Sequence, residues 1–341
     1  MTAATATSVA TSSTGRTRPG GRLRDLCWLT WRQHRLLIAV TALGVLGFVG
    51  YLLVLLPKTN GLVSTTDTSA SGLTDFLADY QLIDLIHDLV AFGVPVLAGV
   101  AAVFWGAPLL SREYEQRTNL LVWSQDVSPV RWLMTKVALL GAILVVLTTG
   151  LEVVVRLLLD NVTRAAPVDQ FDPLGIVSFE SSIPLQIGYV LFGFTLGLVA
   201  SVLFRRTVAA MGVSLTVFGL VRWWLAAYGR EHYETPVHYV GPLSPLRPNV
   251  PSAGELDFGY LNTHGAKVGY PPACYGTSSV TPTDAQFAAC ERSHGLAAFY
   301  TDYQPLSRVP TFQLIEFGIY LVLTACCLFV VWRAVRRGRQ I

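Results

Sequence analysis

The chain has 341 residues, 52% hydrophobic and 14% charged, with a formal net charge of +3. Ordinary soluble domains carry about 25% charged residues, so this composition excludes a soluble globular protein and points to one dissolved in a bilayer. A porin-like barrel is excluded as well, because its strands are about 10 residues long and alternate in polarity, whereas the apolar runs here are about 20 residues long and greasy on every side, the length that crosses a hydrocarbon core of about 30 Å.

Residues 1–21 are rich in Ser, Thr and Ala without apolar periodicity, which predicts a disordered tail rather than a secretory leader. The segment 22–35, in the stretch LRDLCWLTWRQHRLL, sets Leu23, Leu26 and Leu29 near one helical stripe with Trp28 and Trp31 beside it. This pattern suits a helix lying in the membrane interface with its cations toward anionic lipid; a plain basic flank before a span is the alternative. The first span is predicted at 36–56 and the second at 89–110, where Pro95 removes a backbone hydrogen bond and predicts a kink.

A densely charged stretch, SREYEQRTN, follows the second span. The third span is predicted at 133–155 and carries Glu152 and Arg156 one turn apart, read as a membrane ion pair that is either structural or functional. The fourth, 184–204, sets Gly193 and Gly197 on one face, which allows close helix approach. Only Arg205, Arg206 and Thr207 separate it from the fifth, 208–228, so the two form a tight hairpin. Arg222 falls late in that span.

The segment 229–311 is Pro- and Gly-rich and too long for a plain connector, which predicts a compact outer lid. It holds Cys274 and Cys290, expected to form a disulfide on an oxidising side. Within it, GREHYETPVH gathers Glu231, His232, Glu234 and His238, but the spacing is not His-Glu-x-x-His and a proline separates the two histidines; no metal site is expected. The sixth span, 312–332, carries Glu316 early, and a basic tail follows to residue 341.

Basic residues fall on one side of these spans: Arg16 to Arg35, Arg112, Arg117, Arg131, Arg205, Arg206 and Arg333 to Arg339. Acidic residues dominate the other side, including Asp67 to Asp88, Asp160 to Glu180 and seven from Glu231 to Asp302. Cytoplasmic loops retain the cations, so both termini are expected in the cytoplasm and the lid outside, in the plasma membrane. The three lysines Lys58, Lys136 and Lys267 follow Pro57, Thr135 and Ala266, so no Gly-Lys pair exists and no phosphate loop of that kind can be built.

Three stretches carry a resemblance. SREYEQRTNLLVWSQDVSPVRWLMTKV, LFGFTLGLVASVLFRRTVAAM and YQPLSRVPTFQLIEFGIYL resemble, in order, the loop after the second span, the fourth span and the approach to the last span of actinobacterial ABC-2 type permeases; Val309 and Pro310 stand where that family has an aromatic pair. The resemblance implies an all-α polytopic membrane protein with six transmembrane helices of the ABC-2, or type V exporter, kind and an extracytoplasmic lid between helices 5 and 6. It implies that residues 111–131 hold a coupling segment in which Arg112, Glu113, Glu115, Arg117 and Thr118 meet a separate ABC ATPase subunit, and that Tyr303, Gln304, Gln313 and Glu316 line the lid and outer pathway. ATP and Mg would be bound by that partner and no cofactor by this chain.

The expected function is therefore that of a non-enzymatic permease subunit, paired with a second permease, which moves an apolar or amphipathic substrate outward. The expected partners are the ATPase, that second permease and the lipid bilayer, with no nucleic acid. Two rivals stand beside it: a signalling or assembly subunit that binds an ATPase without moving cargo, and an intramembrane enzyme using Glu152, Glu316 or the His232 cluster.

Overall fold

The computed structural model describes residues 23–59, 70–116, 128–165, 172–243, 252–274 and 283–338. Six helical stretches are long and apolar enough to cross a membrane: Leu23–Thr59, Asp79–Glu115, Pro129–Arg164, Ile183–Phe204, Thr207–His232 and Leu306–Arg337. We number these spans 1 to 6.

Span 1 is a single helix, α1 (Leu23–Thr59). The amphipathic N-terminal stretch is its first turns rather than a separate interfacial helix, because no breaker stands between Arg35 and Leu36 and both flanks favour helix. At 1.5 Å per residue it is about 55 Å long, well beyond a hydrocarbon core, and Trp28 and Trp31 are exposed in the overhang.

Span 2 comprises α2 (Ala70–Val100), a π-helical turn (Ala101–Gly106) and α3 (Ala107–Glu115). The π-helical turn follows Pro95 by six residues, and such turns form where the regular hydrogen-bond ladder is interrupted. Span 3 is α4 (Pro129–Ala165).

A short buried helix, α5 (Ile176–Glu180), follows span 3 and packs against α2 and the last helix. Span 4 is α6 (Ile183–Phe204), the most deeply buried of the six. It can sit so close to span 2 because both surfaces lack side chains there. A Cβ on Gly197 would strike the Ala102 carbonyl and lie 2.7 Å from the Ala107 nitrogen, and one on Gly193 would lie 2.7 Å from the Ala98 carbonyl.

Arg205, in the left-handed region at φ 53°, and the extended Arg206 turn the chain into α7 (Thr207–Trp224), the start of span 5. Span 5 runs on through short π and 3-10 turns to His232. Span 6 is built on α9 (Val309–Gly338).

The segment between spans 5 and 6 folds as a four-stranded antiparallel sheet with strand order β1-β4-β2-β3: β1 (Val237–Pro242), β2 (Ser252–Asn262), β3 (Lys267–Val268) and β4 (Leu296–Pro305). Register is seen in Tyr239 opposite Thr301 and Tyr260 opposite Phe299. The helix α8 (Asp284–Ser293), opened by a Thr283–Gln286 capping box, joins β3 to β4. The expectation of an all-α protein is thus corrected to a helical bundle with a small sheet. The β4 residues LAAFYTDYQP include Phe299, Tyr300, Thr301 and Tyr303, aromatic and β-branched types that fit a pleated, half-buried surface.

Candidate functional sites at the two ends of the bundle

At the end of the bundle that carries the sheet, four charged side chains meet below the surface. Arg230 is 2% exposed and Glu316 is fully buried. Arg230 donates from Nη2 to Glu180 Oε1 at 2.6 Å, from Nε to Glu316 Oε2 at 3.2 Å and from Nη1 to the Leu174 carbonyl at 3.0 Å. Its guanidinium also lies 4.3 Å from the centre of the Phe179 ring.

Arg222 donates from Nε to the other oxygen of Glu180 at 2.9 Å, and the Tyr189 hydroxyl donates to Glu316 Oε1 at 2.7 Å. Two carboxylates and two guanidiniums balance in charge. Such a cluster holds together because each buried ion finds an opposite charge and its remaining donors and acceptors are met. The four residues come from α5, span 5 and span 6, and Tyr189 adds span 4, so the network ties these elements together at one end. Just beyond the span, Tyr233 donates to Glu316 at 3.4 Å; burial first, and the Glu316 charge second, hold its phenol above the ordinary value, so the hydroxyl keeps its proton.

The expected pathway residues divide. Glu316 belongs to the network. Gln313 donates to the Phe179 carbonyl at 2.9 Å, bracing α5. Gln304 is buried and donates to the carbonyls of Glu231 and Glu234 at 3.0 and 2.7 Å, which fastens β4 to the end of span 5. Tyr303 is half-buried in β4, between Val237 and Glu255.

The expected Glu152–Arg156 ion pair is corrected. Arg156 directs its Nε to the Ser181 carbonyl at 2.9 Å, at the open end of α5, while Glu152 is fully buried and neither of its oxygens has a hydrogen-bond partner. One turn of helix brought the two residues near each other, but the unsatisfied carbonyl took the guanidinium.

Cys274 and Cys290 form the expected disulfide, with Cα atoms 5.7 Å apart. His294 Nδ1 lies 3.7 and 3.8 Å from the two sulfurs. This trio is the one His, Cys, Asp or Glu group among the described residues close enough to hold a metal, yet its sulfurs are bonded to each other and offer no thiolate. The GREHYETPVH residues are drawn apart: His232 meets the Tyr228 carbonyl, His238 pairs with Asp302, and Glu234 pairs with Arg308.

At the opposite end, α3 carries the charges expected to meet an ATPase. Both carboxylates are also engaged within the chain, Glu115 while remaining exposed. Glu113 accepts from Lys136 Nζ at 3.0 Å; that lysine is 2% exposed and lies 3.8 Å from the Trp132 ring centre. Glu115 accepts from the Thr207 backbone nitrogen at 2.8 Å and from its hydroxyl at 3.0 Å. Arg112 remains exposed, whereas Arg117 and Thr118 lie outside the described residues.

Sequence reasoning missed Lys136 as a partner and overlooked Arg230 and Tyr189. A lone lysine inside an apolar helix was the available signal for the first, since a cation at membrane depth seeks a carboxylate. Glu180, assigned to an outer loop, is 1% exposed.

An apolar hollow of about 510 Å³ lies between spans 1 and 2, lined by Val45, Phe48, Val96, Leu97 and Phe104 among others. Its one polar lining side chain, Thr41, already accepts the Trp105 indole N–H at 3.1 Å.

Six apolar helices, with span 4 the most buried among them, define a multi-pass helical membrane protein. The chain belongs to the ABC-2 membrane transporter related family, whose model matches residues 36–230. No curated protein and no solved structure matches it. Membership makes it a permease component of an ABC transporter, a class of membrane subunit that is generally not itself an enzyme.

Proposed function

We propose that this chain exports an apolar or amphipathic solute across the plasma membrane, driven by ATP bound with Mg on a separate ABC ATPase subunit, and that it works beside a second permease chain. The family match over spans 1 to 5 carries this reading. The end of the bundle formed by α3 and the span 4–span 5 corner supports it, with exposed Arg112, Arg205 and Arg206. That basic end is the cytoplasmic one in this reading, by the retention of Lys and Arg, and the sheet lies outside as the lid. ATPase docking then falls to Arg112 and the segment after Gln116, with Arg117 and Thr118, while Glu113 holds Lys136 and Glu115, exposed at the end of α3, holds Thr207.

The hollow between spans 1 and 2 favours an apolar cargo, since its lining side chains are apolar but for Thr41. Gln304, Gln313 and Glu316 act in this reading as the frame of the outer pathway rather than as cargo ligands, their side chains being committed to neighbours, and Tyr303 stands beside them in β4. The test is co-purification from detergent with a candidate ATPase, followed by ATP hydrolysis and solute uptake in vesicles. A stable complex that moves solute with ATP is expected. A complex without solute movement would favour a signalling or assembly subunit, and activity without any ATPase would favour an enzyme.

A further inference from the structure

Span 5 is held by polar groups at its two ends and by small residues between them. At its far end Arg222 and Arg230 enter the buried charge network. At its start Thr207, the first residue of α7, meets the last residue of α3. In between, Ala210 and Ser214 are fully buried.

The contact at the start is two-pronged. One Glu115 oxygen takes the Thr207 N–H, a first-turn donor that has no partner within its own helix, and the other takes the Thr207 hydroxyl. The Thr207 proton being given to Glu115, the buried Ser111 hydroxyl one turn earlier can donate to the Thr207 oxygen at 2.9 Å, in competition with the Ala107 carbonyl at 2.7 Å. A carboxylate at a helix N-terminus also gains from the local dipole.

Two further observations give the contact a direction of action. Spans 2 and 4 touch backbone to backbone at Gly106 and Gly197, which leaves no room between the π-helical turn and α6. Arg205 and Arg206 then make a two-residue corner with no slack between span 4 and span 5. Immediately after Glu115 and Gln116 the chain enters the segment assigned above to the ATPase.

We propose that Glu115 is a positioning residue that passes movement of the α3 end of span 2 to span 5. It acts through a hydrogen-bonded latch onto Thr207 and not as a contact to the ATPase. This rests on the permease reading.

The test uses the full chain in nanodiscs, alone and with its ATPase, comparing wild type with Glu115→Ala, Glu115→Gln and Thr207→Val. In the chain alone, amide exchange across 207–211 is expected to rise about fivefold in Glu115→Ala, the scale of a lost helix cap, and to return toward wild type in Glu115→Gln, whose amide oxygen still accepts the N–H. With the ATPase, solute moved per ATP is expected to fall by a similar factor in Glu115→Ala, to fall less in Thr207→Val, and to fall no further when Glu115→Ala and Thr207→Val are combined. Unchanged exchange, or faster exchange with unchanged transport per ATP, would overturn the latch. Weaker ATPase capture in both Glu115 variants with unchanged exchange would assign Glu115 to the interface instead. If wild type captures no ATPase, the permease reading fails and the transmission role falls with it, while the exchange data still show whether the contact forms.

Discussion

Glu316 and Arg230 show how a single side chain changes meaning with its surroundings. The sequence marks Glu316 as a carboxylate early in an apolar run, which calls for a partner, but it does not name one. The partner, Arg230, lies 86 positions away and meets it at 3.2 Å. Removing one member of a buried pair leaves an uncompensated charge, which destabilises by about 3–5 kcal/mol. Glu316→Gln is therefore expected to lower the thermal unfolding midpoint in detergent strongly. The double variant Glu316→Leu with Arg230→Met is expected to lose less than the sum of the single changes, because no lone ion remains. Additive losses would show that the two side chains do not share one network.

At the scale of elements, the glycines of span 4 were legible and their partners were not. Gly193 and Gly197 four apart predict a close-packed face, but which helix approaches is decided by the π-helical turn of span 2, which brings Gly106 and the Ala102 carbonyl against them. Gly197→Ala is expected to destabilise by about 1–3 kcal/mol, the scale of overpacking a tight contact. Gly212→Ala in span 5, where a Cβ meets open space, is expected to be neutral or slightly stabilising, since alanine favours helix. Thermal unfolding of the two variants side by side checks this. The sheet was hidden for a related reason. Its strands pair across long sequence separations, as Val237 with Tyr303, and the Pro- and Gly-rich connections dominate the composition of the segment.

Over the whole molecule, the basic and acidic ends predict the orientation proposed above, through a rule about translocation and not about folding. A Cys-free chain carrying a single new cysteine at Arg336 or at Ser293 tests it. The first is expected to react with a membrane-impermeant thiol reagent only after permeabilisation of intact cells, and the second without it. The reverse pattern would place the sheet in the cytoplasm and remove its role as an outer lid.

The sequence by itself determined that this is a multi-pass membrane chain and where each apolar run lies, and the described residues hold six helices long and apolar enough to span, because those properties follow from local composition and the thickness of a bilayer. It also marked the two cysteines that join and the family the permease resembles. What only the tertiary structure decided is who meets whom: Glu113 with Lys136, Glu115 with Thr207, Glu180 with Arg222 and Arg230, and Arg156 with a carbonyl instead of Glu152. A charged side chain declares in the sequence that it requires a partner when buried, but the partner is chosen by helix packing, which brings together residues 23 to 92 positions apart in these contacts.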